Sequence, residues 1–167
     1  MCVICDGMAR SDCRVNGTAQ VCRFFVKEGA MAHWLLKTEP DVYSYADLVR
    51  DTQTMWDNVA NNQALIFIRS MAVGDTCIIY HTGDERRCAG IATVISPPYV
   101  NPADTTGKLA VVDVQATKLL PHGYDLAHIK AQPLFADSYL VKLGRLSVVP
   151  LTYEQFAYLA TAHENRG

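Results

Sequence analysis

The stretch Thr76-Cys77-Ile78-Ile79-Tyr80-His81-Thr82-Gly83-Asp84-Glu85-Arg86-Arg87-Cys88-Ala89-Gly90-Ile91-Ala92-Thr93-Val94-Ile95 decides the fold class. Thr76 to His81 and Cys88 to Ile95 are short apolar runs of strand length, and Thr82-Gly83-Asp84-Glu85 between them is a polar turn. Two such runs so joined predict a β-hairpin with a longer loop. Upstream, Gly74-Asp75 marks a turn. Before it, Ala64, Leu65, Phe67, Ile68 and Met71 recur at spacings of three and four, predicting a helix from Asn61 or Asn62 through Met71. Ser44 is placed to cap an earlier helix over 45–51, with Asp47 in its first turn favourable to the helix dipole. His33 to Lys37 reads as a buried strand. Thr38-Glu39-Pro40-Asp41 ends it, because proline restricts the residue before it and has no N–H to donate.

Downstream, Ser96 to Gly107 reads as a loop and Leu109 to Leu120 as a strand. Leu126 to Gln132 reads as one or two helical turns, and Tyr139 to Leu143 and Leu146 to Val149 as short strands. Thr152-Tyr153-Glu154-Gln155 has the capping-box pattern and opens a last helix through about Ala162. Strands and helices do not alternate in a regular βαβ rhythm, which argues against a doubly wound sheet. The expected class is α+β, a small barrel or highly bent sheet with helices inserted early and late.

The 167 residues suffice for one domain. Half are hydrophobic, enough for a sizeable core, and no apolar run approaches the roughly 20 residues of a membrane span. With 15 Lys+Arg against 17 Asp+Glu the formal charge is -2, which excludes coating nucleic acid by charge alone. Residues 1–30 lack helical or strand periodicity and are expected to be a weakly ordered leader or a mis-assigned start, with Met31 as an alternative beginning. The working domain is expected over 31–167, with 11 basic and 14 acidic residues, a net of -3 against +1 in the leader. Cys2 and Cys5 have the spacing of half a zinc site, but Cys13 and Cys22 are nine apart and supply no second close pair. No metal or other cofactor is expected. Cys77 and Cys88 sit in apolar runs as buried free thiols, and the cysteine usage suits a reducing cytoplasm.

A series of motifs now stands out in order: Trp34-Leu35-Leu36-Lys37-Thr38-Glu39-Pro40, Tyr43-Ser44, Trp56-Asp57 with Val59, Asn61 and Gln63, Tyr80-His81-Thr82, Gly90-Ile91-Ala92, Val112-Asp113-Val114, Arg145-Leu146-Ser147-Val148 and Pro150-Leu151-Thr152. The series resembles the EVE domain family across essentially all of 31–167. The resemblance implies a PUA-like pseudobarrel of mixed, strongly bent β-sheet with flanking helices. It also implies a non-enzymatic module for nucleic acid carrying a modified base, either a modified cytosine in DNA or a modified base in RNA. Modified DNA or RNA, a partner nuclease and RNA-modifying enzymes are the partners it implies; the oligomeric state is left open. The chain departs from the family pattern at Ala60 and Leu65, where arginine is usual, at Asn62, where tyrosine is usual, and at Leu109, where tryptophan is usual. Lost arginines weaken phosphate contacts and lost aromatics remove stacking surface.

A pocket for a flipped base needs an aromatic wall, fixed donors and acceptors, and cations near its mouth. The expected site is Trp34, Lys37, Ser44, Trp56, Asn61, Gln63, Tyr80, His81, Gly90 and Arg145. Trp56 is the expected wall, while Trp34 in a buried strand equally suits core packing. Asn61 and Gln63 suit a base edge, with helix capping the competing role for Asn61. Tyr80 and His81 end a strand, so one faces a cavity while the other packs outward. Lys37 and Ser44 flank the first bend and suit a phosphate or base carbonyl, with capping the competing role for Ser44. Gly90 inside a strand marks a bulge or a close approach. Arg145 suits a phosphate, or an internal ion pair with Asp113 or Glu39. Arg86-Arg87 reads as a solvated turn or as the rim of the pocket. The competing function is a small-molecule or protein-interaction module that has lost nucleic-acid affinity. Catalysis has little support: no nucleophile elbow, P-loop or H-E-x-x-H occurs, and a thiol mechanism through Cys77 or Cys88 with His81 rests on nearness in sequence alone.

Overall fold

Three consecutive apolar residues, Trp34, Leu35 and Leu36, form the heart of β1 (His33–Thr38), and all three are buried. A strand with one wet face would alternate, so both faces of this one are covered. The same holds for β3 (Thr76–His81), buried from Cys77 through His81. The two pair in parallel, with Leu35 opposite Ile78. A parallel pair requires a crossover. Here it contains α1 (Tyr45–Asp51), β2 (Gln53–Trp56) and α2 (Asn62–Arg69). The computed structural model describes residues 31–57 and 59–161; the expected leader, with its four cysteines, and the chain beyond Thr161 lie outside the described residues.

The rest of the sheet is antiparallel. The predicted hairpin is present as β3 and β4 (Arg87–Val94). β6 (Ala110–Leu119) pairs with β4, with β2 and with β5 (Tyr99–Val100), and β7 (Val148–Leu151) pairs with β1. The order is β2-β6-β4-β3-β1-β7, with β5 on β6 as the seventh strand. Two bulges bend this sheet. Ala89 is extra between the β3 pairings of Cys88 and Gly90, and Thr117 between the β4 pairings of Ala116 and Lys118. The α+β, PUA-like architecture expected from the sequence is the one observed, with the sheet strongly bent but not closed.

Local chemistry sets the helix starts. The Ser44 hydroxyl accepts from the Asp47 N–H while the Asp47 carboxylate accepts from the Ser44 N–H, a complete capping box for α1. Asn61 Oδ1 accepts from the N–H groups of Gln63 and Ala64 at the start of α2. Asp125 caps α3 (Leu126–Ala131), Ser138 caps α4 (Tyr139–Lys142), and Thr152 with Gln155 forms a second capping box on α5 (Tyr153–Ala160). A single 3-10 turn, Pro133–Phe135, separates α3 from α4.

Four sequence expectations change. Tyr139 to Leu143, expected as a strand, is the helix α4, because the Ser138 hydroxyl accepts from the Leu140 N–H and starts a helical turn. The expected strand Leu146 to Val149 is displaced to Val148–Leu151, where Pro150 is tolerated because β7 is an edge strand. The expected loop Ser96 to Gly107 contains β5, two residues long. The strand β2 has no counterpart in the sequence expectations: only four residues long, it takes its partner from β6, more than fifty residues away in sequence.

Candidate functional site

The bend that leaves the sheet open also makes its main cleft. β2 and β1 are separated by three strands in the sheet order, yet residues of both line one cavity of about 750 Å³. That volume lies within the roughly 300–1,000 Å³ usual for small-ligand sites. One wall comes from the end of β1 and the bend after it: Lys37, Thr38, Glu39, Val42 and Tyr43. The opposite wall is β2 and its continuation: Thr54, Met55, Trp56, Asp57 and Val59. Thr82 after β3, and Gly144, Arg145 and Ser147 before β7, complete it.

The walls are held by backbone register and a few side-chain bonds. Trp56 sits opposite Val112 on β6, is only 6% exposed and lines the cleft. The Tyr43 hydroxyl donates to Asp51 Oδ2 at 3.1 Å, and burial raises its pKa, which keeps the phenol neutral. Lys37 Nζ donates to the Gly144 carbonyl oxygen at 2.8 Å, tying β1 to the segment before β7. Burial lowers the pKa of this ammonium. One of its three donors is spent on Gly144, which leaves two for a ligand. The half-buried Asp57 carboxylate makes no hydrogen bond or ion pair among the described residues, and Arg145 makes none either. The Arg145 pairing with Asp113 or Glu39 entertained from the sequence is therefore absent.

Of the ten residues expected in the site, Lys37, Trp56 and Arg145 line this cleft. The other seven do not. The Trp34 indole N–H donates to Asp75 Oδ2 at 2.9 Å inside the core, where that carboxylate also accepts from the Ala32 and Ala72 N–H groups. Ser44 and Asn61 are spent on capping. Gln63 is an exposed first-turn residue of α2. His81 is buried: its Nε2 accepts from the Tyr45 N–H at 3.0 Å, which fixes the proton on Nδ1, and that nitrogen meets Glu85 Oε2 at 2.7 Å. Gly90 is indeed a point of close approach, but by Tyr45: a Cβ on Gly90 would lie 2.2 Å from the Tyr45 ring, whose hydroxyl donates to the Ile91 carbonyl oxygen at 2.8 Å. Tyr80 lines a smaller adjoining cavity with Lys37.

Sequence reasoning missed Tyr43, Asp57, Glu39, Thr54 and Ser147 as cleft residues. All but Thr54 stand in the motif series quoted above, so their membership in it was the available signal. The four departures from the family pattern, Ala60, Asn62, Leu65 and Leu109, line neither wall; Leu65 is buried in the core. A thiol mechanism finds no support in the geometry. Cys77 and Cys88 are fully buried, and burial pushes the Cys88 thiol up to about 12 and that of Cys77 higher still, so neither is a thiolate at neutral pH.

A small α+β domain whose bent mixed sheet frames an aromatic-walled cleft at its open seam defines a PUA-like fold. The EVE domain family model matches residues 32–162, and the chain belongs to the EVE domain family. Human thymocyte nuclear protein 1 is 28% identical over 168 residues, covering 80% of this chain and 74% of that one. Among solved structures, Rpa0253 from Rhodopseudomonas palustris superposes with a TM-score of 0.75 at 34% identity, covering 82% of this chain and 96% of that one. The human THYN1 protein, solved in complex with 5-methylcytosine containing DNA, superposes with a TM-score of 0.74 at 27% identity, covering 81% of this chain and 99% of that one.

Proposed function

We propose that the domain reads a modified nucleobase in the large cleft and performs no chemistry on it. One observation carries the reading: Trp56 and Tyr43 wall the same cavity in which the half-buried Asp57 carboxylate has no partner among the described residues. An aromatic surface suits stacking of a base taken out of its helix. A carboxylate acceptor suits a base edge that presents an exocyclic amine, as cytosine does and thymine does not. The complex of the human relative with DNA containing 5-methylcytosine supports modified cytosine as the first ligand to test. Modified RNA is the second polymer, and a cytoplasmic setting with a partner nuclease or RNA-modifying enzyme belongs to the same proposal.

The test is titration against oligonucleotides, DNA and RNA, that differ only in one base. A preference for a modified cytosine is expected, lost by about tenfold or more in Trp56→Ala, as stacking contributes roughly 1–3 kcal/mol per base. Trp56→Phe keeps an aromatic wall and should retain most of the binding, which separates stacking from folding. Equal affinity for all bases in a folded protein overturns the reading. A second reading, a small-molecule module, draws on Glu39 and Asp57 in the walls and the domain's net charge of -3. It predicts a metabolite that copurifies and no nucleic-acid binding at low salt.

A further inference from the structure

Beside the large cleft lies a second cavity of about 170 Å³, and the two share Lys37, Thr82 and Gly144 in their walls. The two cavities therefore adjoin, as neighbouring lobes with different chemistry. The large lobe has carboxylates in its walls. The small lobe has none: it is walled by Lys37, Arg86 and Tyr80, with Thr82, glycine backbone and two leucines completing it. Neither cation has an ion-pair partner among the described residues. Lys37 gives one donor to the Gly144 carbonyl, and Arg86 gives its Nε to the Gly83 carbonyl at 2.9 Å, which leaves both of its terminal NH2 groups available.

Tyr80 is the unexplained member. It is 3% exposed, and its hydroxyl makes no hydrogen bond among the described residues. Buried hydroxyls in folded proteins are nearly always bonded, and an unpaired one is costly. Burial above all pushes this phenol up to about 12, so it stays protonated at neutral pH and has a proton to donate. The Asp125 carboxylate acts on this phenol through space, but it makes no hydrogen bond to it and caps α3 by accepting from the His128 N–H. Arg86 is also held at φ 43°, a left-handed conformation that a non-glycine residue rarely adopts, at the end of the turn facing this lobe.

We propose that the small lobe is an anion subsite, in which Lys37, Arg86 and the Tyr80 hydroxyl bind a phosphate of the nucleotide whose base occupies the large lobe. It rests on the base-reading proposal but goes beyond it, dividing the two cavities into a base lobe and a phosphate lobe. The cavity has room: its volume is roughly six times the share of one water molecule in the liquid. The ligand chemistry is a phosphate ester, from a nucleic-acid strand or a free nucleotide.

Calorimetric titration of the whole chain with 5-methyl-2′-deoxycytidine, its 5′- and 3′-monophosphates, and inorganic phosphate tests this. At least one monophosphate should bind about tenfold more tightly than the nucleoside, the gain expected when a charged acceptor finds its donors. Tyr80→Phe and Arg86→Gln should each remove most of that gain and leave nucleoside affinity unchanged. Tyr80→Phe takes away no hydrogen bond among the described residues, and an unchanged melting temperature checks that the fold is kept. A nucleoside that binds as tightly as both nucleotides, or variants that weaken nucleoside and nucleotide alike, overturns the phosphate lobe. Inorganic phosphate that binds wild type and not Tyr80→Phe, with no nucleoside binding, upholds the anion subsite and overturns the base reading instead. An oligonucleotide preference without any monophosphate binding places the phosphate contacts elsewhere and overturns the subsite.

Discussion

At the scale of single residues, several side chains that looked like ligand contacts turn out to hold the protein to itself. Gly90 is the clearest. Hydrogen at its Cα lets the Tyr45 ring lie flat on β4, and the nearby bulge frees the Ile91 carbonyl to accept from the Tyr45 hydroxyl. A methyl group there would lie 2.2 Å from a ring that is itself 1% exposed and cannot retreat. Gly90→Ala is expected to cost about 1–3 kcal/mol, the usual range for overpacking a core, read as a lower denaturant midpoint. A midpoint equal to wild type would show that Tyr45 moves freely, against the packing described. His81 tells a similar story. Accepting a backbone N–H at Nε2 commits its ring to α1, and no lone pair remains for a base.

Between elements, the contact of α5 with β1 carries the pH dependence. His33 on β1 stacks on Phe156 of α5 at 4.5 Å between ring centroids, and its Nδ1 meets Thr76 Oγ1 of β3 at 2.7 Å. Burial lowers the pKa of this imidazole, and the Asp75 carboxylate opposes the shift only in part. The unfolded chain then binds the proton more readily than the folded one. The contribution of His33 to stability is full above the unfolded value near 6.5 and is lost as the pH falls below it towards the folded value. The denaturant midpoint should therefore drop between pH 7.5 and 5.5, and His33→Phe should flatten that drop while keeping the stack. Carboxylates with lowered pKa values, such as Asp104 at about 2, add their losses only further into acid. A wild-type midpoint that is flat across this window would remove His33 from the account.

Over the whole molecule, charge and cleft belong together. Arg50, Arg87 and Lys142 are taken up by neighbouring carboxylates; among the described cations without an ion pair, Lys37, Arg86 and Arg145 line the two lobes, while Arg69, Lys108, Lys118 and Lys130 lie outside them. With a net charge of -2 the surface offers little general attraction for a polyanion. Binding to an oligonucleotide should thus release few counterions, and the slope of log affinity against log salt should be no steeper than about -3 for three phosphate contacts. A slope of about -6 or beyond, measured between 50 and 200 mM salt, would require a separate basic surface and would move the interface away from this cleft.

The sequence by itself determined the hairpin, the starts of α1, α2 and α5 and the family, because each is written in neighbouring residues: strand-length apolar runs around a polar turn, capping side chains beside the N–H groups they accept from, and motifs that keep their order. It could also name Lys37, Trp56 and Arg145 as cleft residues. What only the tertiary structure decided was which polar side chains were already spoken for. Asn61 and Ser44 were legible as caps, but nothing local says that Tyr45 covers Gly90 from 45 residues away, that Asp75 receives the Trp34 N–H, or that His81 receives a helix N–H. Nor does it say that the Tyr80 hydroxyl has no partner among the described residues. Strand β2 needed its distant partner β6 to exist, and the cleft needed the sheet's bend to bring β2 across from β1. Long-range pairing uses up hydrogen-bonding groups or leaves them free, and the groups left free in the two lobes are those available to a ligand.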